Sequence, residues 1–356
     1  MLFGESAARH FGYSSARVRV MKSRLLSKKT IDDVVSAKDI SSVISILFNS
    51  DYKHEIEEFG GQEIKNERID FALSKNMAKQ LTKLIEISPS TERKITRTIV
   101  GKWALYNIKL AMEAKDKKQG FDSIARYVVD VGKYNSSVIK EAMREESIEG
   151  LLNKLMINSP YYGILKDAQE AYKSTKSAPE AIATIDKSYY KEMQSVIFSL
   201  RTVSNEAALL LKMEIDSKNV LTLIRAKRFG AKFSEVSSLL IDRGTMTRSM
   251  LENAYTNSKD VEAFASQLKG LHLKEASDEY KNSKHKQLLT FEIAMKNSIF
   301  NDALRLLSHS ILSFGTILAY AYMKEIEIYT LRILINSRLY GLDKEETAKL
   351  ISWRKS

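Results

Sequence analysis

The residues that could carry chemistry are few and badly placed for it. The five histidines, His10, His54, His272, His285 and His309, are scattered. None forms the His-x-x-x-His pair with an adjacent Glu that sets two imidazoles on one helix face around a metal. Asp32 and Asp33 stand together without a third carboxylate at helical spacing, so they read as a solvated helix start and not as a cation site. Gly101–Lys102 and Gly132–Lys133 are followed by Trp103 and Tyr134 where a phosphate-binding loop needs Ser or Thr, and neither closes a glycine-rich turn after a strand. No Gly-x-Ser-x-Gly elbow occurs, and cysteine is absent, which removes thiolate chemistry, disulfides and Cys-based zinc sites. No catalytic residue, metal ligand or cofactor site is expected.

The elements that position these residues are helices. The chain has 356 residues, 44% of them hydrophobic, enough to fill a real core, with only 3 prolines and 14 glycines to interrupt long stretches of Leu, Ile, Ala, Lys, Glu and Ser. The expected fold class is all-α. The formal charge of +12, from 56 Lys and Arg against 44 Asp and Glu, favours an acidic partner, anionic lipid or nucleic acid without choosing among them. Two segments imitate targeting signals. The run from Arg9 to Lys29 is basic and acid-free like a transit peptide, yet reads as a first helix. Leu306–Met323 is uncharged and nearly long enough to cross a bilayer, but its Ser, His, Gly and Thr residues fit a helix buried among others better.

The sequence repeats itself about every 110 residues. KDKKQG, RAKRFG and NSRLYG, ending at Gly120, Gly230 and Gly341, read as basic helix ends followed by a left-handed glycine cap. A short helix is expected after each, capped by Asp122 or Ser234, with TIDDVVSA at Thr30 as a further copy. A second element recurs from Asp39, Ser147 and Asp260, with i, i+4 apolar pairs at Val43/Leu47, Leu151/Leu155 and Phe264/Leu268. A third recurs from Ile69, Ile185 and Phe291. Three elements in one order imply three similar helical units, each with a face its neighbour must cover. The expected boundaries are 1–100, 101–210 and 211–356, the last with closing C-terminal helices.

Two terminal passages, FGYSSARVRVMKSRLL and YAYMKEIEIYTLRILINSRLYGL, and the central EIDSKNVLTLIRAKRFG resemble the C subunit of archaeal A-type and bacterial V-type rotary ATPases, called the d subunit in the eukaryotic vacuolar enzyme. The matching residues are Tyr13, Arg17, Arg19, Lys22 and Arg24 in the first passage and Asp216, Asn219, Arg225 and Lys227 in the centre. Lys324, Glu325, Glu327 and Arg332 match near the end. The central helix of the first copy, GKWALYNIKLAMEAK, departs from the pattern with Glu113 where an Arg is usual.

The resemblance implies a funnel of three helical domains about a pseudo-threefold axis, one copy per complex. Its mouth would take the rotor shaft of the central stalk (the D and F subunits), and its narrow end would rest on the membrane proteolipid ring. The protein would be a non-catalytic adaptor passing torque between ring and shaft, peripheral on the cytoplasmic face of the membrane, without nucleic acid. The matched residues would serve inter-repeat packing or partner contact: Arg17, Arg225 and Arg332 facing a shared interior or its mouth, Glu325 and Arg332 joining an internal ion network, and Ile326, Tyr329 and Ile333 in the core. A basic helical nucleic-acid-binding protein is the alternative that charge alone leaves open.

Overall fold

The computed structural model describes residues 2–58, 66–198, 205–282, 287–309 and 312–339, with 341, 344 and 347. Among these, every regular element is helical. The chain forms two compact units. The first comprises Met1–Val196 with Glu327–Asp343, the second Ile197–Ile326 with Lys344–Ser356.

In the first unit α1 (Leu2–Ser23), α2 (Lys28–Ser36), α3 (Ile40–Phe48), α4 (Lys53–Glu57) and α5 (Asn66–Ile87) precede the long α6 (Arg93–Asp116). Then come α7 (Ser136–Ala142), α8 (Ile148–Met156), α9 (Tyr162–Thr175) and α10 (Ala178–Phe198). In the second unit the long α11 (Asn205–Arg228) leads to α12 (Phe233–Val236), α13 (Arg248–Thr256), α14 (Val261–Gln267), α15 (Leu273–Asn282) and α16 (Leu289–His309). Helix α17 (Phe314–Leu339) begins in the second unit and finishes in the first.

Polar caps set the starts of the short helices, and they recur. Ser27, Asn135 and Thr247 accept from Thr30, Val138 and Met250 N–H at 3.1, 3.1 and 3.2 Å to open α2, α7 and α13. Asp39, Ser147 and Asp260 accept from Ser42, Gly150 and Ala263 N–H at 2.7, 3.0 and 2.8 Å to open α3, α8 and α14. The buried stripes follow the i, i+4 spacing: Val43 and Leu47, Leu151 and Leu155, Phe264 and Leu268. Ile69, Ile185 and Phe291, which open the third repeated element, are buried on α5, α10 and α16, with Ile69 and Phe291 in the first turn and Ile185 two turns in.

Several expectations change. TIDDVVSA does not match the short helices after the glycines; it lies in α2, opened by Ser27 as α7 and α13 are opened by Asn135 and Thr247. Gly120 is extended at φ −83°, and the left-handed place at the end of α6 belongs to Lys118 at φ 57°, because the helix stops two residues sooner than its glycine. Gly230 and Gly341 are left-handed, at φ 73° and 70°. Asp122 and Ser234 cap nothing: Gly120 and Lys232 occupy the cap positions of the short helices that follow. The uncharged run Leu306–Met323 is divided between the end of α16 and the start of α17, with 310 and 311 outside the described residues. There Ser313 accepts from Gly315 N–H at 3.1 Å and Thr316 N–H at 3.2 Å, a polar turn that ends one helix and starts the next. No described helix is long and apolar enough to cross a membrane.

Replacing the cap at the start of α14, Asp260→Ala, is expected to lower the unfolding free energy by about 1 kcal/mol through loss of the bond to Ala263 N–H, read as a lower urea midpoint at unchanged slope.

Candidate functional site

The polar residues singled out on the long helices act as joints. On α11, Asn219 is buried and makes a two-way bond with a loop residue: its Nδ2 donates to Ile241 C=O at 2.7 Å, and its Oδ1 accepts from Ile241 N–H at 2.8 Å. One turn earlier Asp216, fully buried, accepts from Thr245 N–H at 2.9 Å, Met246 N–H at 3.1 Å and the Thr245 hydroxyl. Gly244 lies against this carboxylate so closely that a Cβ would overlap Asp216 Oδ1, which is why that turn has glycine. Lys227 finishes the series, donating to Tyr255 C=O at 2.6 Å with its ammonium 4.2 Å from the Tyr255 ring centroid.

The same arrangement holds α6. Asn107 Nδ2 donates to Val129 and Tyr134 C=O at 2.7 and 2.8 Å, and its Oδ1 accepts from Val129 N–H at 3.0 Å. Lys115, eight residues on as Lys227 is from Asn219, donates to Glu145 C=O. Lys109 pairs with Asp186 of α10 at 2.6 Å.

On α17 the partners come from the other end of the chain. Glu327, fully buried, accepts from Leu26 N–H at 2.5 Å and from the Tyr52 hydroxyl at 2.7 Å. Arg332 lies 3.6 Å from Asp70 of α5, donates to Ser74 Oγ at 2.7 Å and sits 5.5 Å from the Tyr127 ring centroid, which Arg126 also covers at 4.9 Å. Arg338 donates to Val35 C=O. The loop before α2 thus meets Glu327 as the loop before α13 meets Asp216.

The other matched residues have different surroundings. Tyr13 is 68% exposed, Arg19, Arg24 and Arg225 are exposed, and Arg17 and Lys22 are half-buried. Arg24 comes within 3.8 Å of Asp51. Lys324 is buried and Glu325 half-buried. Arg332 lies beside Asp70, whereas Arg225 is exposed. Ile326 is buried, while Tyr329 and Ile333 are half-buried. Asp70 and Asp186 were missed as functional residues, although the acid that follows Ile69, Ile185 and Phe291 in the third repeated element was the available signal. Among the described residues no cluster of three or more His, Asp or Glu could hold a metal ion.

Burial leaves its mark on the acids. It pushes the Asp216 carboxyl above the usual carboxylate range against the opposing pull of its hydrogen bonds from Thr245 and Met246. Asp70 is also raised by burial, partly offset by Arg332 and Arg126. Burial holds Lys227 below the usual lysine range.

These geometries define a packed helical scaffold in which conspicuous polar residues fasten long helices to loops. A family model described as ATP synthase (C/AC39) subunit matches residues 14–350, and the chain belongs to that family. It is 25% identical to the C subunit of the A-type ATP synthase of Thermoplasma acidophilum over 95% of this chain and 97% of that one. It is also 25% identical to the corresponding C subunit of Methanococcoides burtonii, over 94% and 92% of the two chains. With that of Thermococcus kodakarensis the identity is 24%, over 94% and 88%.

Asn219→Ala is expected to cost about 1–3 kcal/mol, because Ile241 N–H and C=O would both lose their buried partner, measurable by urea unfolding. The raised carboxyl of Asp216 favours its protonated form in the folded state, so its contribution is complete below the unfolded value and is lost as pH rises through the folded one. The stability difference between wild type and Asp216→Asn should therefore shrink with rising pH above 3.8, which paired urea titrations across the acid range will show.

Proposed function

We propose that the chain is the non-catalytic central-stalk subunit that couples the rotor shaft to the membrane proteolipid ring of an A/V-type ATP synthase, transmitting torque during ATP synthesis or ATP-driven ion transport. The observation that carries this reading is the family match, which spans residues 14–350 and so covers both terminal passages and the central one. The direct partners on this reading are the D and F subunits of the shaft and the ring. One copy sits in each complex, on the cytoplasmic face, held peripherally by its partners.

The joints support a mechanical role. A torque-bearing part needs elements that do not slide past one another, and buried two-way hydrogen bonds such as Asn219–Ile241 and Asn107–Val129 fix helix against loop in a close-packed, poorly compressible interior. The recurrence of caps and joints favours three related units, expected near 1–100, 101–210 and 211–356 and arranged as a funnel. On the pairing of Glu327 with Leu26 and Tyr52, the later part of α17 completes the unit formed by the N-terminal helices. Tyr13, Arg17, Arg19, Lys22, Arg24 and Arg225 are the candidates for partner contact.

Affinity capture of the tagged chain from detergent-solubilised native membranes should recover the proteolipid ring with stalk and nucleotide-binding subunits. Membranes lacking the chain should lose ATP-driven ion pumping while nucleotide hydrolysis by the detached catalytic head persists. Recovery of RNA or ribosomal proteins in place of those subunits would overturn the reading.

A further inference from the structure

Two long helices close in the same way and differ at one telling position. At the end of α11, Gly230 is left-handed, its N–H donates to Lys227 C=O at 3.1 Å, and Ala231 N–H reaches back to Ala226 C=O at 3.0 Å. At the end of α6, Lys118 is left-handed, its N–H donates to Lys115 C=O at 3.0 Å, and Gln119 N–H reaches Ala114 C=O at 2.7 Å. The residue just before the left-handed one is Lys117 at the end of α6 and Phe229 at the end of α11. The motif closes equally well around a lysine, so the aromatic ring is not there to end the helix.

Nor does the ring pack. Phe229 is 87% exposed, more than any other large apolar side chain described. Arg225, Arg228 and Lys232 surround it in sequence, all exposed, and none makes an ion pair among the described residues. Lys227, in the same stretch, is turned inward onto Tyr255 and is not counted with them. The nearest acid along the chain, Glu235, has its carboxylate occupied by Lys232 N–H at 2.6 Å. An apolar ring thus stands exposed at a helix end, with exposed cations on either side of it in sequence. It suits a surface that is negatively charged outside and apolar beneath.

We propose that the Phe229 tip, with Arg225, Arg228 and Lys232, docks this chain directly on an anionic lipid headgroup surface. The ring enters the interface and the cations stay at headgroup level. The contact goes beyond attachment through partner subunits, because this chain makes it alone.

The test is flotation of the purified full chain with phosphatidylcholine vesicles containing about 30% phosphatidylglycerol or none. Wild type should float with the anionic vesicles only and be released at about 0.5 M salt, where charges are screened within a few ångströms. Arg228→Gln and Arg225→Gln should each lower the partition coefficient roughly fivefold, and Phe229→Ala by a similar factor, with unchanged thermal melts. Phe229→Trp should shift its fluorescence to shorter wavelength on anionic vesicles alone. Equal flotation of wild type and Phe229→Ala, or no preference for anionic vesicles, would overturn the proposal. So would variants that lose partner subunits in affinity capture while floating like wild type, since the tip would then bind protein. Capture of ring and stalk is scored separately from flotation, so the coupling role and the lipid contact stand or fall independently.

Discussion

The structure depends on one rule, that a backbone amide buried in a helical interior must find a partner. Loops that cross a packed interior cannot use water, and their neighbours are helices whose own backbone groups are already engaged. A side chain has to supply the bonds. Asn107 and Asn219 are amides because Val129 and Ile241 each present both a donor and an acceptor, and among buried uncharged side chains an amide serves both at once. Asp216 and Glu327 are carboxylates because their loops offer donors: Thr245 and Met246 in one case, Leu26 and Tyr52 in the other. The residue type at each joint follows from what the loop lacks.

A second layer of pairing is less strict. Two residues beyond Asn107, Lys109 bonds Asp186; on α17, Arg332 faces Asp70. The equivalent place after Asn219 is Leu221, and Glu292, which stands in the third repeated element where Asp70 and Asp186 stand in theirs, makes no ion pair among the described residues. The ion pairs are buried or half-buried and lose in desolvation much of what they gain in attraction, so a helix pair can do without one. The backbone-directed bonds at Asn107 and Asn219 have no such substitute, which accounts for their recurrence where the ion pair varies.

Much of this was legible in the sequence. Sparse proline and glycine gave the helices, Asp39, Ser147 and Asp260 marked true helix starts, and Val43/Leu47 or Leu151/Leu155 marked true buried stripes. Asp216, Asn219, Lys227, Glu327 and Arg332 stood out as motif residues, and each bonds a loop or a neighbouring helix. Three things were not legible. Gly120 looked like Gly230 because both follow a basic helix end, yet helix closure is decided by hydrogen bonds that Lys118 can also make. The N-terminal TIDDVVSA was set beside the wrong element because apolar spacing is alike in all short helices and only the caps distinguish them. The pairing of Glu327 with Leu26 spans 301 positions, and no local pattern encodes a contact across such a distance.

That last contact has a bearing on how the protein is made. Leu26 and Tyr52 leave the ribosome long before the helix that carries Glu327, and at roughly 5–20 residues per second the interval is about 15–60 s. During that time the Leu26 N–H, the Tyr52 hydroxyl and the Val35 carbonyl lack the bonds that α17 will bring. The first unit is therefore completed only after the stretch that carries Glu327 has been made, and the segment around Leu26 and Tyr52 waits for that partner until then.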